Sequence, residues 1–354
     1  MTAAPATAPD TDRMWEATFG LPEQVERGAA EAAAVSGLPA ATGVTAVLAL
    51  GMGGSGMGND VLAAIAGPVL GVPVVVGKDY EVPAFVGPST LVLAASFSGD
   101  TEETAAAAEA AISRGAHLVA ISGGGRLGEL ARAAGAPVIG VPDVPHPRAA
   151  IGGMAVAPLV VLERMGLLPG ASAWIDAAVT QLRVRRDQLA AAADRSLAAD
   201  IARRIGRTIP LVYGGGPLGR AAAVRWKCQV NENPKSPAFW AAQPELCHNE
   251  LTGWGQMGDV TRQLMTVIDL RHDHEHAQVG RRFALVDEIM REVVADVVEV
   301  RAAGDGPLAQ LLDLVLVGDV VALTLAAREG VDPGPIPVLQ DLKAALGSLG
   351  SPGQ

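Results

Sequence analysis

The chain has 354 residues, of which 49% are hydrophobic, enough apolar material for two packed cores. Its formal net charge of −11 argues against a nucleic-acid partner, and aromatic residues at 3% leave few platforms for base stacking. Two cysteines, Cys228 and Cys247, are too few for a disulfide framework and are compatible with a reducing compartment. These features predict a cytoplasmic globular protein of enzyme size that does not bind nucleic acid.

No segment is typical of a signal peptide or of a membrane span. The N-terminal residues lack the basic and apolar regions of a signal peptide, so residues 1–12 are predicted to form a disordered tail. The most apolar long segment, 308–327, is interrupted by Asp313, Gly318 and Asp319, and charges at bilayer depth are costly. We therefore predict a buried helix there and no membrane partner.

The first half of the chain alternates strand and helix patterns. A helical arm over residues 13–40 precedes TAVLAL (45–50), which is predicted to be a buried strand. This strand leads into the glycine-rich turn GMGGSGMG and then into a helical pattern, and the alternation continues through VPVVV, LVLAAS and HLVAIS. Such alternation predicts a doubly wound α/β fold, in which a parallel sheet has helices on both faces.

The second half repeats the same unit. IPLVYGGGPLGRAAAVRWK is again a strand, a glycine turn and a helix, and Gly214 lies 163 residues after Gly51 of the first unit. An internal duplication of one doubly wound domain explains this spacing. The predicted parts are a first α/β domain over 41–165, a helical connection over 166–206, a second α/β domain over 207–346 and a mobile tail over 347–354.

Both glycine turns match the dinucleotide fingerprint G-x-G-x-x-G, one from Gly51 and the other from Gly214. A nicotinamide site also requires an acidic residue at the end of the second strand, to hold the ribose. After VPVVV the chain has Gly77 and Lys78 before Asp79. We therefore expect no cofactor.

Hydroxyl side chains occur where two of the predicted strands lead into helices, in GMGGSG and in SFSGDTEET. Hydroxyls and free backbone N–H groups at helix N-termini form a cradle for a phosphate. Ordinary helix capping, including a capping-box-like pair of Asp100 and Glu103, explains only part of this cluster. The predicted phosphate-binding residues are Gly54, Ser55, Ser96, Ser98 and Thr101.

Glu232 and His248 are candidates for proton transfer. Glu232 lies at the end of a predicted helix in NENPK, where Asn231 and Asn233 can orient its carboxylate without neutralising it. The alternative is a solvated carboxylate at a helix end. His248 in CHNE has Glu250 nearby as an orienting acceptor, although a lone histidine is more often a satisfied core residue.

Arg148 follows Pro147, which stiffens its approach, and is a candidate for a fixed cation that stabilises negative charge in a site, with a surface salt bridge as the alternative. The run RHDHEH (271–276) holds three of the six histidines and suggests a metal site. Because it follows a strand end and precedes a helix, we expect a solvated loop and no metal.

Six segments together resemble one known family. GMGGSG, SFSGDTEET, PRAAIG, RWKCQVNENPK, PELCHNE and GDVVALTLAAREGVDP, in this order, are similar to the bifunctional phosphoglucose/phosphomannose isomerases, which are built from two sugar isomerase (SIS) domains. The resemblance implies that the hydroxyl residues bind the sugar phosphate, that Glu232 moves the proton between C1 and C2, and that His248 helps to open the ring. It also implies that Arg148 and Lys343 complete the site, and that the protein is a homodimer in which His248 enters the partner's active site.

Two residues depart from the pattern of that family. Asp100 stands where the family usually has asparagine, and Gly334 where a hydroxyl residue associated with handling both epimers is expected. The leading hypothesis is an isomerase that interconverts glucose 6-phosphate and/or mannose 6-phosphate with fructose 6-phosphate through a cis-enediol. The alternatives are a noncatalytic sugar-phosphate sensor and a nicotinamide-dependent oxidoreductase.

Overall fold

The computed structural model describes residues 9–348. It begins with two short helices, α1 (Met14–Phe19) and α2 (Leu21–Ala34). Pro22 lies in the first turn of α2, where its missing N–H would have no partner inside the helix anyway. The predicted helical arm is confirmed. The predicted N-terminal tail, in contrast, includes Asp10 and Thr11, whose side chains form hydrogen bonds to α1 and to Asp332.

The first sheet contains five parallel strands in the order β2-β1-β3-β4-β5. Its central strands are buried along their whole length, as their uninterrupted apolar sequences predicted. The strands are β1 (Ala46–Leu50), β2 (Val74–Gly77), β3 (Thr90–Ser96), β4 (His117–Ser122) and β5 (Val138–Ile139). The helices are α3 (Gly53–Ala66), α4 (Glu102–Ser113), α5 (Gly125–Ala133) and, after the 3-10 helix Pro147–Ala150, α6 (Ile151–Arg164).

The second sheet has four parallel strands in the order β7-β6-β8-β9. In both sheets the first strand of the sequence lies between the second and the third, as an internal duplication requires. Helices α7 (Ala171–Ala192) and α8 (Leu197–Ile205) precede it, and its strands are β6 (Ile209–Gly215), β7 (Phe239–Gln243), β8 (Met265–Arg271) and β9 (Asp296–Arg301). The remaining helices are α9 (Gly216–Glu232), α10 (Gly258–Leu264), α11 (Ala277–Met290), α12 (Pro307–Glu329) and α13 (Pro337–Ser348).

Helix α12 is the central helix of the second half. Within residues 9–348 it is the one helix long and apolar enough to cross a membrane, but 94% of its most apolar window is buried inside the protein. The charges that interrupt it are paired: Asp313 accepts hydrogen bonds from Arg185 at 2.8 Å, and Asp319 accepts from Arg225 at 2.7 and 2.9 Å. The segment is therefore a buried helix, as predicted.

The two halves meet where α3 of the first packs against α9 of the second, and α3 also packs against α6. A small residue allows the close packing of α3 on α6. A Cβ atom on Gly58 of α3 would lie 2.5 Å from the carbonyl oxygen of Met154 in α6. Because α3 begins at the turn after β1, its packing on α9 brings this part of the first half against the helix that ends at Glu232.

The second sheet contains a buried carboxyl group that makes its stability depend on pH. Asp269 on β8 is 1% exposed. Burial, and then the neighbouring Asp287 carboxyl of α11, raise the pKa of Asp269 well above its usual value. The native state therefore keeps a proton that the unfolded state releases above the ordinary aspartate pKa of about 3.9. As pH rises from that value toward the raised pKa, Asp269 lowers the free energy of unfolding.

We expect Asp269→Asn to raise Tm relative to the wild type. The substitution replaces a carboxyl group, whose ionisation is unfavourable in the folded state, by an amide that does not ionise. The gain should be small near the ordinary aspartate pKa of about 3.9 and should grow as pH rises. Thermal unfolding across this pH range measures it, with Asp305→Asn, which removes an exposed loop carboxylate, as the control. A Tm difference between Asp269→Asn and the wild type that does not change with pH would contradict the raised pKa of Asp269.

Candidate active site

The glycine turn after β1 lies directly against the segment that carries Arg148. A Cβ atom on Gly54 would be 2.6 Å from the backbone nitrogen of Arg148 and 2.6 Å from the carbonyl carbon of Pro147. Only a residue without a side chain allows two backbones to approach so closely. Gly54 therefore places the start of α3 beside the 3-10 helix Pro147–Ala150.

The predicted phosphate-binding hydroxyls lie in two adjacent turns, which a hydrogen bond from Phe97 to Ser55 joins. Ser55 is buried, and its Oγ accepts from the backbone N–H of Phe97 at 3.0 Å. The Oγ of Ser96 lies 2.9 Å from Oγ1 of Thr101, while Ser98 is exposed and accepts from its own loop. The five predicted residues thus come together, although Ser55 and Ser96 also hold the turns in place.

The carboxylate of Asp100 lies at the N-terminus of α5. Its Oδ1 accepts a hydrogen bond at 2.9 Å from the backbone N–H of Arg126, in the first turn of α5. A carboxylate at a helix N-terminus is stabilised by the free N–H groups there. Asp100 is therefore a structural residue of the α4–α5 region, which accounts for an acid at this position.

Arg148 is buried and held by three anchors. Its Nε donates to Oδ1 of Asn233 at 3.0 Å, and its Nη2 donates to the carbonyl oxygens of Pro333 and Gly334 at 2.5 and 2.6 Å. Its Nη1 lies 3.9 Å from Oε2 of Glu232. At 4% exposure, the side chain is not part of a surface salt bridge, which was the alternative interpretation.

The surroundings of Arg148 shift its pKa in opposite directions. Burial lowers the pKa of Arg148, Glu232 and Asp12 act in the opposite direction, and Arg225 lowers it further. A guanidinium nevertheless stays protonated in proteins. The site therefore holds a fixed positive charge directly beside the Glu232 carboxylate.

Glu232 is the last residue of α9, and 28% of its side chain is exposed. The prediction that its asparagine neighbours orient the carboxylate is wrong. Asn231 donates to the carbonyl oxygen of Ser236, and Asn233 binds Arg148. Each asparagine side chain thus bonds to a group other than the Glu232 carboxylate.

Lys235 belongs to the same turn but was not singled out in the sequence. Its Nζ donates to the backbone carbonyls of Glu232 at 2.6 Å and Pro333 at 3.1 Å, and burial lowers its pKa. Its φ of 57° is rare for a residue with a side chain. A lysine directly after NENP, where the helix must end, was the available signal.

His248 lies far from Glu232 within one chain. It is exposed in the 3-10 helix Glu245–His248, just after the carboxyl end of β7. Helix α9 starts at the same carboxyl end of the strands, directly after β6, and is about 25 Å long at 1.5 Å per residue. Glu232, its last residue, therefore lies at the opposite end of the strands. Glu250 does not orient His248 as predicted, because its carboxylate accepts a hydrogen bond from the hydroxyl of Tyr213.

Lys343 also lies outside the cluster. It is exposed on α13, whose apolar residues Val338, Leu339, Leu342 and Leu346 are exposed as well. Neither its side chain nor that of His248 makes a hydrogen bond within residues 9–348. Of the four predicted catalytic residues, the chain itself brings Glu232 and Arg148 together.

The histidine run is only partly the solvated loop that was expected. His272 is buried, and its Nε2 lies 2.9 Å from the carbonyl oxygen of Gly215 in the second glycine turn. In the described part of the chain, no three metal-binding side chains come together. A Cβ atom on Gly215 would lie 2.8 Å from Cγ1 of Val279 and 3.1 Å from the ring of Phe283. This second turn is therefore filled by side chains.

Two parallel sheets, with a hydroxyl-lined glycine turn beside a paired cation and carboxylate, define a protein of the sugar isomerase domain class. Residues 194–346 match the bacterial phospho-glucose isomerase C-terminal SIS domain. The fold is similar to that of tagatose-6-phosphate ketose/aldose isomerase from Escherichia coli, with a TM-score of 0.70 and 16% identity over 95% of this chain and 98% of that one. It also resembles the C-terminal domain of glucosamine-fructose-6-phosphate aminotransferase from Francisella tularensis, with a TM-score of 0.65 and 13% identity over 90% and 96% of the two chains.

Sequence comparison identifies the family. The chain is 31% identical to the bifunctional phosphoglucose/phosphomannose isomerase of Caldicellulosiruptor bescii over 95% of its length and 99% of the relative's. It is 32% identical to the protein of the same name from Aquifex aeolicus over 84% and 88% of the two chains. The chain therefore belongs to the bifunctional phosphoglucose/phosphomannose isomerase family. This confirms the resemblance found in the sequence and, with it, the expected enzyme class of sugar-phosphate isomerases.

We expect Gly54→Ala to destabilise the protein by about 1–3 kcal/mol, the usual cost of forcing extra atoms into a packed region. The added methyl group must separate the glycine turn from the Arg148 segment. Denaturant unfolding measures the change, and Gly71→Ala is the matched control, since its methyl group would meet no atom within 4 Å. Equal stability of the two variants would contradict the close approach.

Proposed function

We propose that the protein interconverts glucose 6-phosphate and/or mannose 6-phosphate with fructose 6-phosphate. The observation that carries this proposal is the pairing of Glu232 with Arg148 at 3.9 Å, next to the glycine turn that contacts the Arg148 backbone through Gly54. An acidic group and a fixed cation thus lie beside an anion cradle. The two relatives described above are phosphoglucose/phosphomannose isomerases, which supports the same substrates.

In the proposed mechanism, the ring opens and Glu232 then moves a proton between C2 and C1. In the aldose, the carboxylate removes the weakly acidic proton on C2, which gives the enediolate of the cis-enediol. A hydroxyl proton passes from O2 to O1, and Glu232 returns the carbon-bound proton to C1, which leaves the carbonyl group at C2. Because C2 is planar in that intermediate, both epimers lead to the same enediol. The hydrogen stays within the sugar and its base, so the step needs neither a redox cofactor nor a metal.

Arg148 stabilises the negative charge that develops on the enediolate oxygens. Its Nε and Nη2 are occupied by Asn233, Pro333 and Gly334, which leaves Nη1 on the side of Glu232. A donor that is already fixed in a site shielded from water costs little reorganisation when the charge appears. The phosphate of the substrate binds at the N-termini of α3 and α4, to Gly54, Ser55, Ser96, Ser98 and Thr101.

Replacing Glu232 by glutamine should leave the binding of fructose 6-phosphate intact and lower kcat by about 100- to 10,000-fold, the range for losing a general base. Coupled assays with each aldose phosphate, together with a binding titration, measure this. Glu329→Gln is the matched control, because Glu329 is also the last residue of a helix but pairs with Arg207 on the surface.

Turnover of the Glu232→Gln variant near the wild-type rate would remove Glu232 from the mechanism. A wild-type protein that binds fructose 6-phosphate but converts neither aldose phosphate would instead be the noncatalytic sensor considered above.

We also infer a cytoplasmic homodimer in which His248 completes the partner's site by assisting ring opening. Support comes from the distance between His248 and Glu232 within one chain. It also comes from β7, an edge strand of the second sheet that exposes Phe239 by 55% and Trp240 by 38%. Large apolar side chains on an edge strand are typical of a surface that another molecule covers. Lys343 joins the site when α13 docks through its exposed apolar side chains.

Mixing two inactive variants tests this arrangement. In a dimer of one Glu232→Gln chain and one His248→Ala chain, one of the two sites has both wild-type groups if His248 acts across the interface. Free exchange of equal amounts should restore roughly a quarter of wild-type activity, because half of the dimers are mixed. Activity that stays at the level of the separate variants, although mixed dimers are detected by mass, would place His248 in its own chain's site or outside the mechanism.

A further inference from the structure

The N-terminal segment Asp10–Asp12 lies against the turn that anchors Arg148. Asp10 caps α1 by accepting from the backbone N–H groups of Met14 at 2.7 Å and Trp15 at 3.1 Å. The hydroxyl of Thr11 donates to Oδ2 of Asp332 at 2.6 Å. The segment is thus fixed at both of these points, and Asp12 follows directly.

Asp12 contacts both sides of the Arg148 site. Its Oδ2 lies 2.7 Å from Nε2 of His146, two residues before Arg148. The same oxygen would lie 2.4 Å from a Cβ atom on Gly334, so the Asp12 carboxylate occupies the space that any side chain at position 334 would need. The carbonyl oxygen of Gly334 in turn accepts from Arg148 Nη2.

We propose that Asp12 is a positioning residue for Arg148. By binding His146 and packing on Gly334, it holds together the segment that carries the guanidinium and the carbonyl that receives it. The spacing of these two segments decides whether Nη1 faces Glu232. The inference rests on the proposed isomerase function, since the orientation of Arg148 matters for the reaction only if this cation stabilises the enediolate.

The chemistry of the contact predicts which replacements preserve it. Asparagine at position 12 keeps an oxygen that accepts a hydrogen bond from His146, whereas alanine removes the acceptor. Glutamine at position 146 likewise keeps a side-chain N–H donor that alanine lacks. A role in positioning therefore predicts that the conservative variant at each position retains activity and that the alanine variant does not.

The experiment compares the steady-state kinetics of Asp12→Ala, Asp12→Asn, His146→Ala and His146→Gln. Both alanine variants should lose kcat on the order of 100-fold, because a shift of about 1 Å in a catalytic group has this effect. KM should change far less, since the phosphate cradle is untouched, and the conservative variants should keep most of the wild-type kcat. Glu16→Ala, which removes an exposed ion pair in α1, is the control. An Asp12→Ala kcat equal to that of the control would overturn the proposal, as would equal losses in the Asn and Ala variants.

A second measurement reports the Asp12–Gly334 contact without reference to activity. Gly334→Ala should lower Tm in the wild type but much less in an Asp12→Gly background, because contacting residues have non-additive effects. Equal losses in the two backgrounds would contradict the contact. If the wild type converts neither aldose phosphate, the proposed function fails and the positioning role falls with it. An active wild type with an unaffected Asp12→Ala variant refutes the positioning role alone.

Discussion

One buried positive charge determines how the site is assembled. A guanidinium removed from water costs several kcal/mol unless its N–H groups find partners, and Arg148 is 4% exposed. Its partners come from two other parts of the chain, Asn233 at the end of α9 and the carbonyl groups of Pro333 and Gly334 after α12. The hydrogen bonds of Arg148 therefore hold three segments together: its own, the end of α9 and the turn after α12. Glu232 is placed by the same requirement, because it precedes Asn233.

A second buried arginine fixes the backbone on which the first depends. Arg225 donates through Nη2 to the carbonyl oxygen of Arg148 at 2.6 Å and is itself paired with Asp319 of α12. Arg225 and Glu232 are seven residues apart on α9, so they share one face of the helix. On that face, Arg225 binds the main chain of Arg148, and Glu232 lies near its side chain. The ion pair between Arg225 of α9 and Asp319 of α12 is thus part of the support for the site.

The sequence predicted the elements well because their signals are local. Buried strands such as β1 and β3 are short apolar runs bounded by glycine, and the repeated strand–glycine–helix unit indicated two similar sheets. Strand β7, with the sequence FWAAQ, was missed because its burial is uneven along its length. Contacts across the chain were not predictable. Asp12 was assigned to a disordered tail, since its partner His146 is 134 residues away and no local pattern connects them.

The same limit applies to the roles of single residues. The sequence could indicate Glu232 and Arg148 as acid and cation, but the separate roles proposed for them depend on which of their atoms the fold leaves without a partner. Two nitrogen atoms of Arg148 are held by the protein, and the third lies 3.9 Å from the carboxylate. That distance exceeds a direct hydrogen bond, so an oxygen atom between the two groups would satisfy both. Glu232 is partly exposed while Arg148 is closed off from solvent, and a substrate oxygen would therefore reach the cation from the side of the carboxylate.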